Sequence, residues 1–216
     1  MFSSGSIITT GFGVQLSKNK LLLATNNQGK AREYKSLLGG IPYQLVTMAD
    51  EGITTEVSET GATFQENAIL KATVLAAESG LLTLADDSGL EVDALGDEPG
   101  VLSARYAGEN ATDSDRVDFL LKKLDGVPEN QRTARFRCVI AIASPEGNVK
   151  ICSGECPGII TTAPRGYNGF GYDPVFYVPE LDKTMAELSP EEKNKISHRA
   201  RAAEKARKAL MNLSPL

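Results

Sequence analysis

Cysteine and histidine are scarce in this chain of 216 residues, with three of the first and one of the second. Cys138, Cys152 and Cys156 leave one unpaired in any disulfide scheme, and Cys152-x3-Cys156 lacks the partner pair that a structural zinc site requires. Buried, reduced thiols in a cytoplasmic protein are the expectation. With His198 as the lone histidine and no nucleophile elbow, a hydrolase triad has no parts to build it. No segment supplies the roughly 20 apolar residues of a membrane span, so no membrane partner is expected. Positive charge is short as well: 23 Lys and Arg face 28 Asp and Glu, a net charge of -5. That balance argues against a general nucleic-acid or acidic-membrane binder. A small anionic substrate stays open wherever positive charge or metal is local.

Hydrophobic residues make up 41% and charged residues 24% of the chain, with no low-complexity tract between them. This is the profile of a soluble globular protein, long enough for one large domain or two lobes around a continuous core. Residues 1–19 are Ser/Gly/Thr-rich, with a short Ile7-Ile8 apolar core and no basic start. They read as a loose extension and not as a secretory signal. A single domain is expected over 20–212.

Lys20 to Thr25 is a short apolar strand, followed by a tight polar turn and a helical pattern that stops at Gly39-Gly40. A second strand, Tyr43 to Thr47, leads into an acidic loop. Thr63-x-x-Glu66 then predicts a capping box opening a helix to Ser79. Phe64, Ala68, Ala72, Leu75 and Ala76 form its buried stripe, with Glu66, Asn67 and Lys71 off it. Leu81 to Ala85 is a strand, Thr112-x-x-Asp115 caps a further helix, and Pro145-Glu146-Gly147 joins the strands of a hairpin. Ser189-Pro190-Glu191-Glu192 opens the C-terminal helical part. Strands and helices in this order predict an α/β fold with a sheet that is not purely parallel.

Chemistry concentrates in a few segments. Ala85-Asp86-Asp87-Ser88-Gly89 sets two adjacent carboxylates at the exit of a strand, where they are either turn acids or a pair that a divalent cation reconciles. Thr25-Asn26-Asn27-Gln28-Gly29-Lys30 lies where a strand ends and a helix begins, a place where backbone N–H groups and an ammonium can meet phosphate. An ordinary polar turn is its competitor. In the acidic loop Glu59 is the candidate magnesium ligand, since magnesium takes one or two carboxylates together with water and phosphate oxygens; Glu56 reads as solvated. Lys71 reaches a phosphate only if its helix lines the cleft. Glycines on both sides of Phe170 leave room for a flat ligand against the ring, unless Phe170 plugs the core.

Together, Thr25-x-Asn27-x-x-Lys30, Glu59-Thr60-Gly61, Glu66-Asn67-Ala68-x-x-Lys71-Ala72, Ala85-Asp86-Asp87-Ser88-Gly89-Leu90, Ser103-Ala104-Arg105-Tyr106, Gly169-Phe170-Gly171-Tyr172-Asp173-Pro174 and Ser197-His198-Arg199 resemble the inosine/xanthosine triphosphate pyrophosphatase family. The likeness runs in order from about Lys20 to Leu210. It implies an α/β fold whose long mixed sheet and flanking helices form two lobes around a central nucleotide cleft. It further implies a homodimer and magnesium-dependent release of pyrophosphate from non-standard purine triphosphates. Carried over by position, Thr25, Asn26, Asn27, Gln28, Gly29 and Lys30 would hold the triphosphate, joined by Lys71. Glu59, Asp86 and Asp87 would hold Mg2+, with Asp87 as the base, and Ser88 would touch substrate. Phe170, Gly171, Tyr172 and Asp173 would form the base and sugar pocket, Lys193 would reach substrate, and His198 with Arg199 would read the purine edge. One departure stands out: the family usually has glycine where this chain has Asn26, and asparagine tolerates left-handed backbone better than most residues.

Overall fold

Leu21, Leu22 and Leu23 have no exposed surface at all. Successive strand residues face opposite ways, so the strand they form, β1 (Lys20–Leu23), needs a cover on both sides. Helices provide it: α1 (Gln28–Leu37) and α5 (His198–Asn212) on one face, α2 (Phe64–Ser79) on the other. The computed structural model describes residues 19–213, so the extension expected over 1–19 lies, apart from Asn19, outside the described residues.

The remaining elements are β2 (Gln44–Thr47), β3 (Leu82–Val92), α3 (Asp113–Lys123), β4 (Thr133–Ala143), β5 (Val149–Ile160), β6 (Phe176–Val178), β7 (Lys183–Thr184) and α4 (Pro190–Ile196). Among the described residues all seven strands share one sheet, in the order β2-β1-β3-β4-β5-β6-β7. Its first three strands are parallel and the rest antiparallel, the mixed α/β sheet that the element order predicts. At the parallel end one core lies on each face of the sheet. A third core, built on Leu90, Val92, Leu120, Phe136 and Phe176, lies at the antiparallel end and is covered by α3. The long strands β3 and β4 run through both lobes.

Local chemistry explains most boundaries. Thr112 and Asp115 cap each other at the start of α3, and Ser189 and Glu192 do so at α4. The expected box at α2 is only half made: Thr63 accepts the Glu66 N–H, but the Glu66 carboxylate reaches past Thr63 to the Ala62 N–H at 2.7 Å. Gly80 closes α2 with φ +66, a left-handed cap that glycine adopts without strain. The Leu81–Ala85 strand proves longer than its apolar run, because β3 continues through the aspartates to Val92. Burial also corrects the α2 stripe, since Asn67 is 1% exposed. All three cysteines are buried and free. Among the described residues no helix is long and apolar enough to cross a membrane.

Candidate active site

Leu84 and Ala85 belong to the cores of the first lobe, Leu90 and Val92 to that of the second. Asp86 to Gly89 fall between them, on a strand and not in a turn. Strand alternation then separates the two aspartates: Asp86 joins Leu84 on the α1/α5 face, and Asp87 joins Ala85 on the α2 face. The expected acidic pair does not form. Asp86 is 1% exposed, accepts the Ser88 hydroxyl at 3.2 Å, and lies 2.9 Å from Lys30 Nζ and 3.7 Å from Arg199 Nη2. Burial would raise its carboxyl, but Lys30, Arg199 and Lys71 outweigh that and hold it far below the usual range. The cations that reconcile Asp86 with its burial are the protein's own.

Asp87 has a different environment. Its Oδ2 accepts the Asn67 amide at 3.0 Å and its Oδ1 the Ser88 N–H at 2.8 Å. Burial, and then the like charge of Glu59, pushes its carboxyl up to about 6. Glu59 in turn is 2.5 Å from Lys71 Nζ. Glu59 and Asp87 both line the same cavity, whereas Asp86 does not. Among the described residues no group of three or more His, Cys, Asp or Glu side chains is placed to hold a metal. Two carboxylates, Glu59 and Asp87, that line one cavity still fit magnesium, which completes its shell with water and substrate oxygens.

The phosphate turn is built as a helix start. Thr25 Oγ1 accepts the Asn27 N–H at 3.2 Å, and Asn27 Oδ1 caps α1 by accepting the Lys30 N–H at 3.0 Å. Asn26 does not use its left-handed tolerance: among the described non-glycine residues only Asp97 and Asp182 have positive φ. The first turns of α2, α3 and α4 carry acids that favour the helix dipole, while those of α1 and α5 carry none. Alongside Asp113, the acid that opens α3, the cavity is lined by N-terminal residues of both helices without a first-turn acid, Lys30 on α1 and His198 and Arg199 on α5. Their positive ends remain available to an anion.

Phe170 lies against this turn. A Cβ on Gly29 would come within 2.8 Å of the Phe170 ring, so the missing side chain makes room for the ring. Lys193 Nζ lies 4.8 Å from the ring centroid and Arg199 Cζ 5.5 Å. Glu33, which no sequence motif singled out, joins those two cations, with one oxygen 3.0 Å from Lys193 and the other 2.6 Å from Arg199. Lys193 also meets Asp173 at 2.5 Å, and Asp173 accepts the Phe170 N–H. Lys30, Asp86, Arg199, Glu33, Lys193 and Asp173 thus form one chain of alternating charge from the phosphate turn to the aromatic platform. Such buried chains have few unpaired charges and strict geometry. Asp113 of α3 fixes the next amide, Gly171 N–H, at 2.7 Å, and the Tyr172 hydroxyl donates to Ser103 O.

A break at Ser197 creates the last part. Ser197 ends α4 in extended conformation and caps α5 through the Ala200 N–H, so the C-terminal helical part is two helices. His198 stacks on Phe136 with ring centroids 4.7 Å apart. Burial, with Arg199 and Lys193 nearby, drives its pKa well below the usual value, leaving it neutral. His198 Nδ1 and Arg199 Nε are buried without a hydrogen-bond partner among the described residues. Orphaned buried donors and acceptors beside a cavity point to a ligand that completes them.

The cavity between the lobes has a volume of about 420 Å³. Gln28, Gly29 and Asp86 lie outside its wall; the other expected site residues line it, and Glu56 lies at its exposed rim. Asn67, Glu33 and Asp113 were not foreseen. Asn67 stands in one of the motifs that carry the resemblance, with no role attached to it, and for Glu33 the one signal was helical spacing, three residues after Lys30.

The sequence model of the Ham1 family matches residues 21–209. The dITP/XTP pyrophosphatase of Bacillus licheniformis is 53% identical over 186 residues, 86% of this chain and 95% of that protein. That of Desulforamulus reducens is 54% identical over 194 residues, 90% of this chain and 96% of its own length. Among solved structures, the Ham1 protein of Staphylococcus aureus superposes with a TM-score of 0.82 at 44% identity, covering 91% of this chain and 100% of that one. The resemblance carried by seven motifs, the mixed sheet and these relatives agree: the chain belongs to the Ham1 family.

Proposed function

We propose that the chain hydrolyses the non-standard purine nucleoside triphosphates ITP, dITP and XTP to the monophosphate and pyrophosphate, removing them from the nucleotide pool. One observation carries this reading. One cavity is lined by a lysine-bearing helix start, by the carboxylates of Glu59 and Asp87, and by the Phe170 ring together with His198 and Arg199, whose Nδ1 and Nε are buried without a partner among the described residues. The single domain expected over 20–212 is part of the proposal, supported by one sheet that takes in every strand.

Glu59 and Asp87 would hold Mg2+, which supplies positive charge to the triphosphate oxygens when bound. Asp87 accepts the proton of a water that attacks the α-phosphorus, and the bond from that phosphorus to the bridging oxygen breaks. Lys30 and Lys71 balance the charge of the departing pyrophosphate, so no strong general acid is needed. Asp86 binds no metal in this scheme; it keeps Lys30 and Arg199 in place. Hypoxanthine and xanthine offer an acceptor at O6 to His198 and Arg199. Adenine brings an amino group there and would leave buried donors unpaired.

The test is pyrophosphate release with magnesium across a nucleotide panel. Faster turnover of dITP and XTP than of dATP and dGTP is expected. Binding without release would instead make the chain a nucleotide sensor, and preference for pyrimidines would make it a different pyrophosphatase. The homodimer rests on the family resemblance, and a monomer mass in sedimentation would remove it. Three free buried thiols favour a reducing compartment such as the cytoplasm.

A further inference from the structure

Asn67 is a buried amide in a helix stripe that otherwise carries apolar side chains, and both ends of the amide are bonded. Its Oδ1 accepts the Gly61 N–H at 2.7 Å and its Nδ2 donates to Asp87 Oδ2 at 3.0 Å. The first bond decides the second: a backbone N–H needs an acceptor, so the amide oxygen turns to Gly61 and the NH2 group must face Asp87. Gly61 is close because it has no side chain; a Cβ there would come within 2.7 Å of both Asn67 Oδ1 and Glu66 Cβ. Glu59 is two residues before Gly61 on the same loop. One helical turn beyond Asn67, Lys71 grips Glu59 itself. Two side chains of one rigid helix therefore hold the two acids of the site, each by a separate bond.

We propose that Asn67 is a positioning residue: its amide fixes the Asp87 carboxylate and, through Gly61, sets where that carboxylate stands relative to Glu59. Asn67 does not line the cavity, and it acts on substrate only through Asp87. This rests on the proposed roles of Asp87 and Glu59. A misplacement of about 1 Å can lower turnover on the order of 10²-fold.

Three variants test it. Asn67→Asp keeps the acceptor for Gly61 and removes the donor to Asp87; Asn67→Ala removes both; Gly61→Ala displaces the amide without altering it. Each should lower kcat for dITP on the order of 10²-fold with KM changed less than about 3-fold. Titration calorimetry of magnesium into nucleotide-free protein should show several-fold weaker binding for Asn67→Ala and Gly61→Ala than for wild type. A purely structural role would lower Tm in all three and leave kcat of the folded protein intact, and that pattern would overturn the proposal. Wild-type kcat in Asn67→Asp would overturn it as well. If wild-type protein releases no pyrophosphate, the failure belongs to the proposed function, and the calorimetric comparison still decides the clamp.

Discussion

On one face of β3 the Asp86 carboxylate is enclosed by Lys30 and Arg199; on the other, one residue further, Asp87 meets Glu59 and an amide. The same side chain, buried in both places, is driven to opposite proton affinities. Compensated by two cations, Asp86 stays ionised as part of the scaffold. Asp87 has a like charge nearby and keeps a raised affinity for protons or metal, the profile of a working group. The period of a strand performs this sorting, since adjacent residues cannot share a face.

The largest test of the contrast is turnover. Asp87→Asn is expected to lower kcat by about 10³-fold while nucleotide binding persists, read by pyrophosphate release alongside calorimetry. Retained activity would move the base elsewhere. Next in size is stability. Asp86→Asn leaves Lys30 and Arg199 partly uncompensated in the interior, which is expected to cost about 3–5 kcal/mol in urea unfolding at pH 7. If the loss is negligible, Lys30 and Arg199 do not depend on Asp86 for compensation.

Asp87→Asn should have the opposite sign in metal-free protein, and its pH dependence sharpens the comparison. The folded carboxyl is raised to about 6 from its ordinary value of 3.8. A raised acid contributes stability below its unfolded value and loses it as pH rises through the folded one, so ionised Asp87 is a burden at pH 7. Asp87→Asn is expected to be more stable than wild type there by about 3 kcal/mol, and the gap should close as pH falls from 7 to 4. Equal stability at both ends of that range would mean that neither burial nor Glu59 raises the Asp87 carboxyl. The smallest effect concerns the platform. Gly29→Ala pushes a methyl into the Phe170 ring and is expected to raise KM about 10-fold, within the usual worth of one stacked base. An unchanged KM would mean the ring does not stack on substrate.

Much of this was legible in the chain itself, because it depends on local chemistry. The apolar run of Leu21 to Leu23, the caps at Thr112 and Ser189 and the turn at Pro145-Glu146-Gly147 act over a few residues, and strand, helix starts and hairpin all formed there. So did the site motifs, which carried the family resemblance before any coordinate was known. Four points required the tertiary structure. The polar residues of β3 did not read as strand, because backbone pairing with β4 over Asp86 to Gly89 is a long-range interaction. The faces of the two aspartates follow from that extension. Asn67 reads as lying off the buried stripe of α2 because it is polar; in the fold the nearby Gly61 N–H and the Asp87 carboxylate of β3 satisfy it. Glu33 gained a role only when α4 and α5 packed against α1. Sequence alone determined where the polar and charged residues stand and which family they resemble, since identity and spacing are written along the chain. Only the fold decided which carboxylate is enclosed by cations and which has a like charge nearby, because burial and neighbouring charge exist only once the chain has closed on itself.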